Sequence, residues 1–149
     1  MRLFEGLRLS TSLSRLYQAY FSSNCSITAV VIILSESEES FTLVKLLCEA
    51  AHDAKAEDIV VLDVAKISGF ADYFIIMSGR STRHVQGLAS SLDKQLGGKR
   101  LKVETTEGLA DGQWVLLDFG DVIVHIFYKE TRDFYDLEGL WHDARRVEV

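Results

Sequence analysis

The feature that most constrains the fold is the run from Trp114 to Phe127, in which two apolar stretches flank a turn at Gly120. Both stretches are rich in β-branched and aromatic residues, which favour strands. Glycine beside aspartate is typical of a tight turn, because glycine adopts backbone angles that other residues avoid. The sequence therefore predicts a β-hairpin over residues 114–127.

Upstream of the hairpin, the spacing of apolar residues predicts two helices and two strands. Residues 35–40 alternate serine and glutamate, and we interpret them as the entry of a first amphipathic helix that runs to about Ala54. Residues 58–64 and 73–77 are nearly continuous apolar runs, typical of strands covered on both faces. Ser81 is placed to cap a second helix, which Gly97 and Gly98 end.

Two weaker elements complete the pattern. Residues 101–104 have the composition of a short, weak third strand. Phe134, Leu137, Glu138 and Trp141 lie at the spacing of one final helix, on a face that combines core aromatics with one acid. The order is α-β-β-α-β-β-β-α. This order predicts a mixed α/β fold (α+β), a mixed sheet with helices packed on it.

Residues 1–34 differ in composition from the rest of the chain. They contain many serines, three arginines and one glutamate. We predict that they are an N-terminal extension, either disordered or translated from a start upstream of the natural one, with an organellar transit peptide as the alternative. The folded domain is then predicted to span residues 35–149.

Composition excludes several classes of function. The 149 residues, 48% of them apolar, suit one globular domain, and no apolar run is long enough to span a membrane. Two cysteines do not make a disulfide framework, which favours a reducing compartment. The net charge of −6, with scattered basic residues, argues against nucleic-acid binding and suits a basic protein partner.

Candidate catalytic motifs are weak. Asp118-Phe119-Gly120 matches a kinase tripeptide, but the rest of that motif set is missing, so we interpret it as the hairpin turn. His125 lies mid-strand, where a structural role in the sheet is favoured over a catalytic triad. Neither the histidines nor the cysteines have the spacing of a metal site, so we predict no metal and no cofactor.

Two local features could bind a partner or ligand. Trp114 and Asp118 are four residues apart on one strand and share a face, so the tryptophan is either core or an anchor for a protein partner. Residues 79–82 lie between a strand and a helix, where amide groups could hold an anion. A helix cap at Ser81 is the favoured interpretation of that loop.

Taken in order, several segments resemble the ribosomal silencing factor family (RsfS, Iojap-like) over roughly residues 39–149. The hairpin is the longest of them. The other matching segments are Lys55-Ala56-Glu57-Asp58-Ile59, Leu62-Asp63-Val64, Ala71-Asp72-Tyr73-Phe74, residues 78–85 (Ser-Gly-Arg-Ser-Thr-Arg-His-Val), Glu107-Gly108 and residues 135–141 (Tyr-Asp-Leu-Glu-Gly-Leu-Trp).

The resemblance implies a domain distantly similar to nucleotidyltransferases but without their catalytic carboxylates, and hence no enzymatic reaction. It implies binding to the large ribosomal subunit at its fourteenth protein, which blocks joining of the small subunit and represses translation. It also implies homodimers of the free protein, no need for direct nucleic-acid contact, and a bacterial cytoplasmic location, or a mitochondrion or plastid if residues 1–34 are a transit peptide. The partner-binding residues that it implies are Trp114, Leu117, Asp118, Gly120, Asp121, Asp72 and Tyr73, with the last helix less secure.

Two alternatives from other classes stay open. One is a nucleotide-binding or nucleotidyltransferase-like enzyme that uses residues 79–82 as its anion loop. The other is a structural dimerisation module without a ribosomal partner. Nucleotide titration would test the first, and sedimentation with large subunits would test the second.

Overall fold

The computed structural model of the chain describes residues 25–97 and 103–149. The chain divides into two compact units, residues 1–39 and 40–149, and every described strand lies in the second. The described elements are α1 (Cys25–Asp53), β1 (Glu57–Asp63), β2 (Tyr73–Gly79), α2 (Thr82–Gly97), β3 (Thr105–Glu107), β4 (Trp114–Asp118), β5 (Val122–Tyr128), α3 (Lys129–Tyr135), α4 (Leu137–Leu140) and β6 (Arg145–Val147). No helix among the described residues combines the length and apolar character needed to cross a membrane.

The strands form one six-stranded mixed sheet in the order β3-β4-β5-β2-β1-β6. β2 and β5 run parallel at its centre, and the other described pairs are antiparallel. The predicted hairpin is confirmed, with Trp114 opposite Phe127 and Asp118 opposite Ile123. The mixed α/β fold is also confirmed.

One face of the sheet is closed by α1 and α2. The apolar stripe of α1 predicted from helical spacing lies in this core, as does the stripe of α2. Burying such side chains is worth about 1.5–3 kcal/mol each, so this face supplies most of the domain's stability. Its fully buried members include Val44, Leu47, Ile75, Met77, Leu88, Leu92, Leu96, Leu117 and Ile126.

The opposite face is covered only in part. A second apolar cluster lies there, and the segment after β5 packs on it through Leu137, Trp141 and Ala144. Trp141 meets Phe74 edge-on, with ring centroids 5.1 Å apart. The buried members of the cluster are Leu62, Val64, Ala71, Phe74, Ile76, Ile123 and Phe127.

The structure corrects the predicted start of α1. The helix begins at Cys25, well before the predicted entry at Ser35. Residues 25–53 contain neither glycine nor proline, so nothing in the sequence ends or kinks the helix across residues 35–40.

The C-terminal prediction is also corrected. The single last helix is two short ones, because Asp136 adopts a left-handed conformation at φ 40° between them. Its backbone N–H donates to the carbonyl of Arg132, and its side chain accepts from the N–H of Gly139, so one residue ends α3 and caps α4. The prediction missed β6, which has three residues and pairs with β1.

The third strand lies later than predicted. It spans Thr105–Glu107 and pairs with β4, whereas residues 101–102 of the predicted strand lie outside the described part of the chain. The N–H of Glu104 donates to the carbonyl of Asp118 at 2.7 Å, so the predicted segment contributes one bond to the sheet edge.

Candidate protein-docking face

Strand alternation sorts the residues of β4 onto two faces. Trp114, Leu116 and Asp118 point to the partly covered face, where Leu116 lies opposite His125 in the register. Val115 and Leu117 point to the helix-covered face. The sequence prediction that Trp114 and Asp118 share a face follows this alternation.

Trp114 is half-buried and held on several sides. Its indole N–H donates to Nδ1 of His125 at 3.2 Å. Its ring stacks on Phe127, with centroids 5.0 Å apart, and contacts Tyr135 at 4.9 Å. Trp114 therefore has features of both a core residue and a partner anchor. Its inner edge is fixed in the sheet, while part of its ring stays accessible.

His125 lies beneath this tryptophan and is 6% exposed. Because its Nδ1 accepts the indole proton, the neutral ring carries its own proton on Nε2. Nε2 is buried, and no hydrogen-bond partner for it exists in the described part of the chain. Burial lowers the pKa of His125 to about 4. These contacts agree with a structural histidine bonded within the sheet.

Two aromatic side chains of α3 extend the accessible surface beside Trp114. Phe134 is 82% exposed and Tyr135 is 50% exposed, and their rings meet edge-on at 5.2 Å. We call Trp114, Phe134 and Tyr135 the aromatic patch. The sequence placed Phe134 among core aromatics of one long helix, and that placement is wrong because the break at Asp136 turns α3 independently of α4.

The hairpin turn brings several predicted site residues together. Oδ1 of Asp118 accepts from the N–H of Gly120 at 2.8 Å, and Gly120 has φ +85°, which glycine adopts without strain. The side chain of Asp121 is exposed, and its carbonyl accepts from the N–H groups of Asp72 and Tyr73 at 2.7 and 3.1 Å. Asp72 thus adjoins the turn at the end of β4 away from Trp114.

Two side chains predicted to bind the partner lie on the helix-covered side of the sheet, away from Trp114. Leu117 is 1% exposed and packs in the helix-covered core, because it is offset by one residue from the open face. Tyr73 packs on the helix-covered side against Phe41, with ring centroids 6.0 Å apart. Burial, followed by the charges of Asp63 and Asp72, raises the pKa of Tyr73. Neither side chain belongs to the aromatic patch.

The loop over residues 79–82 is engaged in local bonds. Oγ of Ser81 accepts from the N–H of His84 at 3.1 Å, which confirms the helix cap. The N–H of Arg80 donates to Nδ1 of His84 at 3.2 Å, and the Arg80 guanidinium pairs with Glu57 at 2.6 Å. The amide group of Arg80 in the proposed anion loop is therefore already used. Across residues 25–97 and 103–149, no group of three or more histidine, cysteine, aspartate or glutamate side chains could hold a metal ion.

An arginine that no sequence pattern indicated ties α3 to the sheet. The side chain of Arg132 is 12% exposed and pairs with Glu138 through Nη2 and Nε at 2.6 and 3.0 Å. Its Nη1 donates to Oγ of Ser78 and to the carbonyl of Asp58. The available signal was Glu138, an acid on the apolar face of the last predicted helix, since a half-buried carboxylate needs a cationic partner.

Comparisons with known proteins agree with this architecture. The sequence model described as "Ribosomal silencing factor during starvation" (RsfS) matches residues 22–149. The ribosomal silencing factor RsfS of Bacillus subtilis is 43% identical over 103 residues, covering 69% of this chain and 87% of that protein. The mouse protein named "Mitochondrial assembly of ribosomal large subunit protein 1" is 35% identical over 103 residues, covering 66% of this chain and 44% of that protein.

A solved structure shares the fold at similar identity. A crystal structure of a protein from Bacillus halodurans superposes with a TM-score of 0.66 at 39% identity, covering 72% of this chain and 98% of that one. A family model over most of the chain and relatives at this identity agree with the segments that carried the resemblance. The chain belongs to the ribosomal silencing factor family.

Proposed function

We propose that this chain represses translation by binding the large ribosomal subunit at its fourteenth protein and sterically blocking the small subunit. Family membership supports a ribosomal role, and the name of the mouse relative refers to the large subunit.

The observation that carries the proposal is the aromatic patch. Trp114 is fixed by His125 and Phe127 yet presents part of its ring beside Tyr135. Partly exposed tryptophan and tyrosine on a rigid support are typical anchors of protein interfaces, because they bury large areas at a small cost in side-chain entropy.

Charge complements this anchor. Asp118 and Asp121 lie at the far end of the same hairpin, and the chain has a net charge of −6. An acidic surface of this kind accelerates association with a basic protein, and the acceleration falls as salt is added. The proposed mechanism is occlusion and includes no reaction and no cofactor.

The experiment is co-sedimentation of the purified protein with large subunits. Trp114→Ala should weaken binding by on the order of 2 kcal/mol, about thirtyfold, if the ring fills a partner pocket. Tyr135→Ala should weaken binding with little loss of stability, because half of its side chain is already exposed. Leu109→Ala, an exposed apolar residue outside the patch, is the matched control and should bind normally.

The charge contribution has a separate test. Asp121→Lys should slow association and flatten its salt dependence, whereas Asp93→Lys on the exposed side of α2 should have a smaller effect. Asp121 is the cleaner choice, since Asp118 also holds the turn through Gly120. Folded variants of Trp114, Tyr135 and Asp121 that all bind normally would place the docking surface elsewhere.

Two further parts of the proposal stand on the family resemblance alone. The free protein is proposed to be a homodimer, which light scattering at several concentrations would test. Its proposed location is the bacterial cytoplasm, with the organellar alternative depending on the role of residues 1–34.

A further inference from the structure

We propose that Arg132 is a positioning residue for docking, which acts by holding Tyr135 against Trp114. This inference rests on the proposed function, since it concerns the same aromatic patch. Arg132 itself is mostly buried and binds groups of its own chain. It would therefore affect partner binding indirectly, by setting the position of the Tyr135 ring against Trp114.

The contacts of Arg132 join four elements. Nη2 and Nε bind Oε1 of Glu138 in α4, while Nη1 donates to Oγ of Ser78 in β2 at 2.9 Å and to the carbonyl of Asp58 in β1 at 2.6 Å. A planar guanidinium with several fixed donors suits this arrangement, and a lysine ammonium cannot reproduce it.

Strand β1 is irregular at the point where Arg132 contacts it. The register between β1 and β2 shifts between Glu57 and Val60, and Asp58 within that shift has φ +49°. Aspartate tolerates a positive φ better than most residues, although the conformation still costs energy. The carbonyl of Asp58, which lies in this irregular segment, accepts a hydrogen bond from Nη1 of Arg132.

Helix α3 depends on these bonds because it has little other attachment. None of its seven residues, all of them described, is fully buried. A helix of this length is unstable alone, so its position is set by tertiary contacts. Beyond Arg132, the contacts that hold α3 include the hydrogen bond from Thr131 to Gln113 at 2.8 Å and the ring of Tyr135 on Trp114. Loss of Arg132 would therefore release Tyr135.

A double-mutant cycle on large-subunit binding tests the proposal. Arg132→Gln should weaken binding about tenfold in the wild-type background and less than about twofold in the Tyr135→Ala background, because residues that act through one another are not additive. Equal losses in the two backgrounds would overturn the positioning role. Arg132→Lys should bind nearly as weakly as Arg132→Gln.

The matched control is Arg146→Gln. Arg146 binds the other oxygen of Glu138 at 3.0 Å and is largely exposed, so its removal leaves the contacts of Arg132 in place. It should bind the large subunit normally. If Arg132→Gln fails to fold, Glu138→Gln takes its place in the cycle, with the same expected dependence on Tyr135.

A second readout separates this inference from the proposed function. In a Trp141→Phe background, the near-ultraviolet circular dichroism of Trp114 reports its packing with Tyr135. Arg132→Gln should reduce that signal while Arg146→Gln retains it, and an unchanged signal would overturn the inference. If the wild-type protein does not sediment with large subunits, the proposed function fails, and this spectroscopic comparison still decides the role of Arg132.

Discussion

The buried imidazole of His125 makes folding stability depend on pH in a way that can be calculated. Its surroundings are the rings of Trp114, Phe74 and Phe127, and its Nδ1 is occupied by the indole proton. A charge on this ring would lose both hydration and the hydrogen bond. Burial accordingly lowers the pKa from 6.5 to about 4.

The sign and size of the effect follow from linkage. Because the folded state binds the proton less tightly than the unfolded state, this stabilisation is fully present above the unfolded pKa and is lost as the pH falls toward the folded one. With values of 6.5 and about 4, the free energy of unfolding should fall by about 2 kcal/mol between pH 7 and pH 5 from this residue alone.

Urea unfolding at a series of pH values measures this loss. His125→Gln removes the titrating group but keeps an acceptor for the indole N–H, so its unfolding free energy should change about 2 kcal/mol less than that of the wild type over the same range. The exposed His52→Gln variant should retain the wild-type dependence. Parallel curves for wild type and His125→Gln would refute the argument that His125 is buried and neutral.

Three further predictions concern α2 and the loops around it. Gly112→Ala should lower the free energy of unfolding by at least about 2 kcal/mol in thermal melts, because Gly112 has φ +66° and an added Cβ would lie 2.6 Å from the carbonyl of Thr82. Gly87→Ala, where a Cβ meets nothing within 4 Å, should instead raise stability by up to about 1 kcal/mol. Ser81→Ala should cost about 1 kcal/mol through loss of the cap, and Ser81→Asp should recover most of it in the same assay.

Local patterns predicted the elements whose side chains repeat with a regular period. Strand β4 follows alternation and the stripe of α2 follows helical spacing, and burial in the structure repeats both periods. Strands β2 and β5 are continuous apolar runs, and they are buried on both faces of the sheet. Alternation also placed Trp114 and Asp118 on one face. Alternation also implied that Leu117 lies on the opposite face from Trp114, whereas the family resemblance grouped the two as partner-binding residues. The structure follows the alternation, because Leu117 is buried in the helix-covered core.

The remaining features depend on contacts between distant residues. Asp136 breaks the last helix, yet a lone aspartate is common inside helices, and its left-handed conformation depends on bonds to Arg132 and Gly139. β6 is too short to show a period and exists because β1 offers it a free edge. Arg132 meets Asp58 across 74 residues of sequence, a distance that no local pattern spans.

The arrangement of the partly covered face bears on how tightly such a surface can bind. Each side chain that a partner must immobilise costs about 0.5–1.5 kcal/mol on association. Here the indole of Trp114 is already fixed by His125 and Phe127, and Tyr135 is held on it by a helix attached through Arg132. Much of that cost is thus met during folding, when the helix-covered core on the opposite face supplies the free energy. Under the proposed function the protein acts by binding alone. The preorganised side chains lose less conformational entropy on association, so they raise the affinity on which that function depends.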